Sequence, residues 1–103
     1  MSHKRLSEME RHEIYQEIQR YKEKMRKAEM NGIMNEYDVY ANKVVIAESY
    51  LVNREDIKIG ATYTLNDGSN AHFKVKHLKG VFAWGYREGV NQEEGIPLSL
   101  LQL

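Results

Sequence analysis

The chain has 103 residues, with 15 Lys plus Arg balanced by 15 Asp plus Glu, and no cysteine. That length suits one domain-sized core. The charge balance removes the electrostatic case for a chain that coats nucleic acid or an anionic membrane, and the missing thiols exclude disulfide staples and thiolate metal ligands.

Met1-Ser2-His3-Lys4-Arg5 leads into charged sequence without the apolar core of a signal peptide. The best apolar run, Val44-Val45-Ile46-Ala47, is far shorter than the roughly 20 residues that span a bilayer. A cytoplasmic protein folding as one cooperative unit is expected.

Ser7-Glu8-Met9-Glu10 has the Ser-x-x-Glu spacing of a capping box and predicts a helix start there. Ile14, Ile18, Tyr21, Met25 and Ala28 then recur at steps of four and three, the signature of an amphipathic helix, and Asn31-Gly32 stops it. Asn35 is placed to cap a second helix with Asp38 at its third position, Met34 and Val39 forming the hydrophobic staple. In that helix Tyr37, Tyr40, Val44, Ala47 and Leu51 repeat the rhythm of the first, which predicts an antiparallel helical hairpin over residues 1–54. A second stripe of Val39, Ile46 and Tyr50 is surplus to that pairing and is expected to pack on the other half.

Beyond Asn53-Arg54-Glu55-Asp56 the period changes to alternation: Tyr63 and Leu65, then Phe73, Val75 and His77, then Phe82, Trp84 and Tyr86. Asn66 to Asn70 is rich in residues that tolerate positive φ, and Lys79-Gly80 is placed as a two-residue hairpin turn. Ile96-Pro97-Leu98 reads as an edge strand, because proline cannot donate to a central ladder, and Ser99 to Leu103 as a turn and closing strand. Four or five short strands over residues 55–103 predict a small SH3-like β-barrel covered on one side by the second helix, an α+β fold.

The chemistry-bearing residues are sparse. The histidines at 3, 12, 72 and 77 lack the spacing of a zinc site, and the serines at 2, 7, 49, 69 and 99 lie in no Gly-x-Ser-x-Gly turn. No glycine-rich loop is present to cradle phosphate. The expectation is therefore a protein that is not an enzyme, with no metal and no cofactor. His77 reads as a half-buried strand residue and His12 as part of the polar side of helix one.

Two constellations suit binding instead. Arg20 to Lys27 holds five basic residues against one acidic, and Arg20, Lys24 and Lys27 could meet about three phosphates, although a solvated helix end explains the same run. Trp84, Tyr86 and Arg87 with Lys74 and Lys76 form the second candidate, aromatics beside cations that stack bases or clamp a peptide. A volume argument opposes it: Val81, Ala83 and Gly85 on the other side of that strand supply too little volume to fill a barrel. Phe82, Trp84 and Tyr86 are therefore expected in the core, with at most an edge of Trp84 exposed.

Lys27-Ala28-Glu29, Gly32, Asn35-Glu36 and above all Gly80-Val81-Phe82-Ala83-Trp84-Gly85-Tyr86-Arg87, followed by Glu93-Glu94 and Ile96-Pro97-Leu98-Ser99, resemble the YfhH family of small bacterial proteins of unknown function. The resemblance covers nearly the whole chain. It implies the same hairpin and SH3-like barrel, and a transcriptional-regulator label attached to some members; it carries over no site residue.

The leading expectation is a non-enzymatic interaction or regulatory module with a protein or peptide partner. The alternative is a nucleic-acid-binding regulator that brings Arg20, Lys24 and Lys27 together with Lys74, Lys76 and Arg87. Homodimerisation through the hairpin, with Tyr37, Tyr40 and Val39 at the contact, is a third possibility.

Overall fold

Two separate sets of apolar side chains organise the chain. Ile14, Ile18, Val44 and Ala47 form the core of one compact unit, which ends at Leu51, and Leu65, Phe73, Val75, Ala83, Ile96, Leu98 and Leu101 with Ile57 form that of a second, from Val52 to Leu103. The computed structural model describes residues 4–103; Met1 to His3, including the His3 weighed as a metal ligand, lie outside the described residues.

In the first unit a single 3-10 turn, Leu6–Glu8, precedes α1, Arg11–Met30, and α2, Met34–Ser49. The helix starts three residues later than the Ser7 box predicts. Glu10 is the N-cap, its side chain accepting from the backbone of Glu13 while Glu13 accepts from the Glu10 N–H, so the Ser-x-x-Glu spacing is displaced by a better-placed pair of carboxylates. That bond, then the Lys4 ammonium, holds the Glu13 carboxyl below its ordinary pKa.

The end of α1 follows expectation. Gly32 takes φ +70°, its N–H reaches the Glu29 carbonyl, and the Ile33 N–H reaches Ala28 at 2.9 Å, the paired bonds of a Schellman close. The next cap differs from expectation. Ile33 is the N-cap of α2 and makes no side-chain capping bond, Met34 is already helical, and Met34 and Val39 are 57% and 51% exposed, so the Asn35 cap and its staple do not form. The tight Schellman exit leaves too few residues for a separate capping turn. Ala28 and Ala47, both buried, are the small positions of the hairpin, with Tyr21, Met25, Tyr50 and Leu51 packed around its core.

The second unit opens with a 3-10 turn, Arg54–Asp56, and builds one antiparallel sheet in the order β1, Thr62–Thr64; β2, His72–Lys79; β3, Phe82–Arg87; β4, Glu94–Pro97. A last 3-10 turn, Leu98–Leu100, follows. The sheet is open, with β1 and β4 at its edges. The expected closing strand is reduced to one bridge, Leu65 with Leu101, flanked by bonds from Asn66 N–H to Leu100 and from Gln102 N–H to Thr64.

Two local features set the faces of this sheet. The hairpin turn consists of Gly80-Val81, one residue beyond the expected pair, because Lys79 and Phe82 are register partners and only Gly80 adopts positive φ, as the first position of a II′ turn requires. A bulge between Val75 and His77 inserts Lys76, so the inward set runs Phe73, Val75, Leu78 and leaves His77 outside. His77 is therefore exposed rather than half-buried.

Gly85 faces inward, and a Cβ there would fall 1.8 Å from the Lys74 carbonyl oxygen, so β2 and β3 approach too closely for any side chain. The volume that this strand lacks is supplied by Phe73, Leu65 and Leu98, all at 0–1% exposure. The expectation for β3 is thus reversed: Ala83 and Gly85 are buried, while Phe82, Trp84 and Tyr86 lie half-buried on the outer face.

Candidate functional site

The outer face of the sheet gathers four of the five sheet residues singled out in the sequence. Lys74 is the register partner of Tyr86 on one side and of Thr62 on the other, and His77 is the partner of Trp84. Strand alternation alone puts His72 beside Lys74, and the bulge adds Lys76.

Two adjacent concavities share Lys74 and Tyr86. One, of about 380 Å³, is lined by Thr62, His72, Lys74, Tyr86, Arg87 and Glu88. The other, of about 320 Å³, is lined by Ile59, Gly60, Lys74, Val75, Lys76 and Tyr86. Thr62 and Ile59 had no signal in the sequence, because only the β1–β2 register carries them to the site. His72 was legible from its alternation with Phe73.

The rings on this face are covered in specific ways. Lys76 Nζ lies 5.9 Å from the Tyr86 centroid. His77 lies parallel to Trp84 at 7° and 6.4 Å between centroids, and its Nδ1 is 3.7 Å from the Glu93 carboxylate. The opposite contact of the indole is Gly95, where an added Cβ would come within 2.8 Å of the six-membered ring. Trp84 and Gly95 are partners on β3 and β4, so the indole rests on bare backbone.

Arg87 does not join this set of cations. Its Nε donates to the Glu94 carboxylate, its Nη2 to Asp67 Oδ2 at 3.1 Å and its Nη1 to Ser69 Oγ at 3.3 Å. Ser69 donates both its hydroxyl and its N–H to Asp67 Oδ1. These Ser69 bonds first, and the guanidinium second, hold the Asp67 carboxyl down to about 2, and the two carboxylates raise Arg87 above its ordinary value. Arg87 thus ties the Asn66–Asn70 turn to β4. Lys74 and Lys76, by contrast, make no ion pair among the described residues.

The helical candidates lie in the other unit. Arg20, Lys24 and Lys27 are exposed along one side of α1, with Arg20 Nη1 2.7 Å from Glu17 and Lys24 Nζ 5.8 Å from the Tyr40 centroid. Glu10, His12 and Glu13 bring potential ligand atoms within 4.8 Å of one another at the start of the same helix. The Glu10 and Glu13 side chains there are engaged in capping.

Fold and site together define a small α+β protein, a pair of packed helices and an open four-stranded antiparallel sheet, with a cationic and aromatic outer sheet face. None of its helices is long and apolar enough, among the described residues, to cross a membrane. The chain belongs to the family described as protein of unknown function DUF1811, whose model matches residues 4–102. It is 46% identical over 100 residues to the uncharacterized protein YfhH of Bacillus subtilis strain 168, covering 96% of this chain and 95% of that protein. The family expectation from the Gly80–Arg87 segment is therefore shown, and with it the unknown function.

Proposed function

We propose that this protein is a non-enzymatic, cytoplasmic interaction module that binds a protein or peptide partner on the outer face of its sheet. The observation that carries the reading is the placement of Lys74 and Tyr86 between two adjoining concavities, on a face whose two lysines have no carboxylate partner. A catalytic centre needs a nucleophile or base aimed into an enclosed site; here the titratable groups line open-sided hollows. In this reading the sheet, the Leu98–Leu100 turn and the Leu65–Leu101 bridge make up an SH3-like barrel with a minimal closure.

The test is capture from bacterial extract by the immobilised full chain and by a Lys74→Glu, Tyr86→Ser variant whose fold is checked by NMR, with and without nuclease. A discrete protein that is retained by the parent chain after nuclease and lost by the variant is the expected result. Equal capture by both removes the sheet face from consideration.

A regulator that binds nucleic acid is the second reading, drawing on Arg20, Lys24 and Lys27 sharing one exposed side of α1. Capture that disappears with nuclease would favour it.

A further inference from the structure

We infer that the partner segment is an extended, acidic peptide whose alternate side chains enter the two concavities and whose carboxylates meet Lys74 and Lys76. This inference rests on the sheet face being the binding surface and adds the chemistry of what binds there.

Three observations lead to it. The first is electrostatic. The fifteen cations divide nine to the helical unit and six to the sheet unit, and the fifteen anions divide the same way, so neither unit carries a net charge. Any field on the sheet must come from how its charges are paired. Arg87 is fully engaged by Asp67 and Glu94, whereas Lys74 and Lys76 project from the outer face without such partners. With Arg87 offset by its own carboxylates, the lining of the two hollows sets Lys74 and Lys76 against the single carboxylate of Glu88, so the face is positive by one charge on a neutral unit, which selects a negatively charged ligand.

The second observation separates an acidic peptide from single-stranded nucleic acid. Sequence-tolerant base binding needs aromatic faces that are free to stack. Trp84 has Gly95 against its six-membered ring and His77 parallel to it, and Tyr86 has Lys76 over its ring. The rings are used to build the surface and to hold an ammonium in place.

The third observation is the adjacency of the hollows. They adjoin through Lys74 and Tyr86, and side chains two apart on an extended strand point the same way about 6–7 Å from one another. Strand-like ligands place alternate side chains in neighbouring pockets in this manner. Ile59, the Tyr86 ring and the lysine stems give one hollow apolar walls, so an apolar residue between acidic ones is the matching pattern.

The experiment is amide chemical-shift mapping of the full chain with three probes: an alternating Glu-Leu decapeptide, its Lys-Leu counterpart and a ten-residue oligothymidylate. Each is raised to about 1 mM, the weak end of specific association. The expected result is saturable shifts at Thr62, His72, Lys74, Lys76 and Tyr86 with the Glu-Leu probe only, weakened at least about ten-fold, or roughly 1.4 kcal/mol, in Lys74→Glu, Lys76→Glu. Absence of saturable shifts at those amides, equal binding of the Lys-Leu probe, or tighter binding of the oligothymidylate overturns the inference. If the Glu-Leu probe fails while a protein partner is still lost by the Lys74→Glu, Tyr86→Ser variant, only the ligand class falls; if that capture also fails, the sheet-face reading falls with it.

Discussion

The two units hold the same balance of charge but use it differently. On the helices Arg20 pairs with Glu17 and Arg26 with Glu23, each three residues apart, and Lys4 with Glu13, while Lys24 and Lys43 sit over tyrosine rings. On the sheet one cation, Arg87, joins segments seven and twenty residues away, and the strand lysines Lys74, Lys76 and Lys79 make no ion pair among the described residues. Short-range pairs of the helical kind add only tenths of a kcal/mol. Arg87 takes up both Asp67 and Glu94, while Lys74 and Lys76 flank adjoining hollows, and it is this combination of cation and concavity that makes the sheet the better candidate for recognition.

The largest expected effect tests the packing that makes this division possible. Gly85→Val puts a side chain where the Lys74 carbonyl already lies, and it should destabilise the sheet by more than about 4 kcal/mol, in the range of exceptional substitutions. NMR of the variant should lose the dispersed sheet amides. A folded sheet with unchanged β2–β3 register would refute the close-approach account.

A middle-sized effect contrasts the two arginines. Arg87→Leu leaves Asp67 and Glu94 without their donor and should cost about 1–3 kcal/mol in denaturant unfolding, whereas Arg20→Leu should cost no more than about 0.5 kcal/mol. Equal losses would erase the distinction between the units. The same network predicts acid sensitivity. Asp67 has a folded pKa lowered from 3.8 to about 2, so its stabilising contribution is present above 3.8 and is lost as the pH falls through that window. Asp67→Asn should remove that part of the acid dependence; an unchanged low-pH unfolding profile would count against the assignment.

The smallest effect concerns the outer face alone. His77→Ala uncovers part of Trp84 and should shift its emission to longer wavelength while changing stability by less than about 1 kcal/mol. No shift would mean that the imidazole does not shield the indole.

The helical part of this arrangement was largely legible in the sequence. Ile14, Ile18, Val44 and Ala47 recur with helical spacing, and Gly32 has a clear stop function, so pattern and structure agree. The caps at Ser7 and Asn35 were less legible: Glu10 and Glu13 take the first, and the tight exit of α1 starts α2 before Asn35 can cap it. On the sheet, the strands followed from alternation but the choice of face did not. Judging β3 by its own volume pointed Trp84 and Tyr86 inward. The deciding facts were the approach of Lys74 to Gly85 and the extra residue at Lys76, both properties of strand pairs rather than of one strand. The candidate cations Lys74 and Lys76 were readable; that Arg87 belongs to a structural tie was not, because its partners are remote in sequence.

The position of Pro97 has a consequence for how the protein behaves at high concentration. Leu98 N–H donates to the Val81 carbonyl, so by antiparallel alternation the nitrogen of Pro97 faces away from β3, toward the free rim of β4. A rim residue without an N–H gives an incoming strand one donor fewer to template on, and on the opposite rim the Leu65–Leu101 bridge and its flanking bonds engage the end of β1. The open sheet is thereby guarded against edge-to-edge growth into fibrils, a protection that a fully closed barrel would have supplied by its topology.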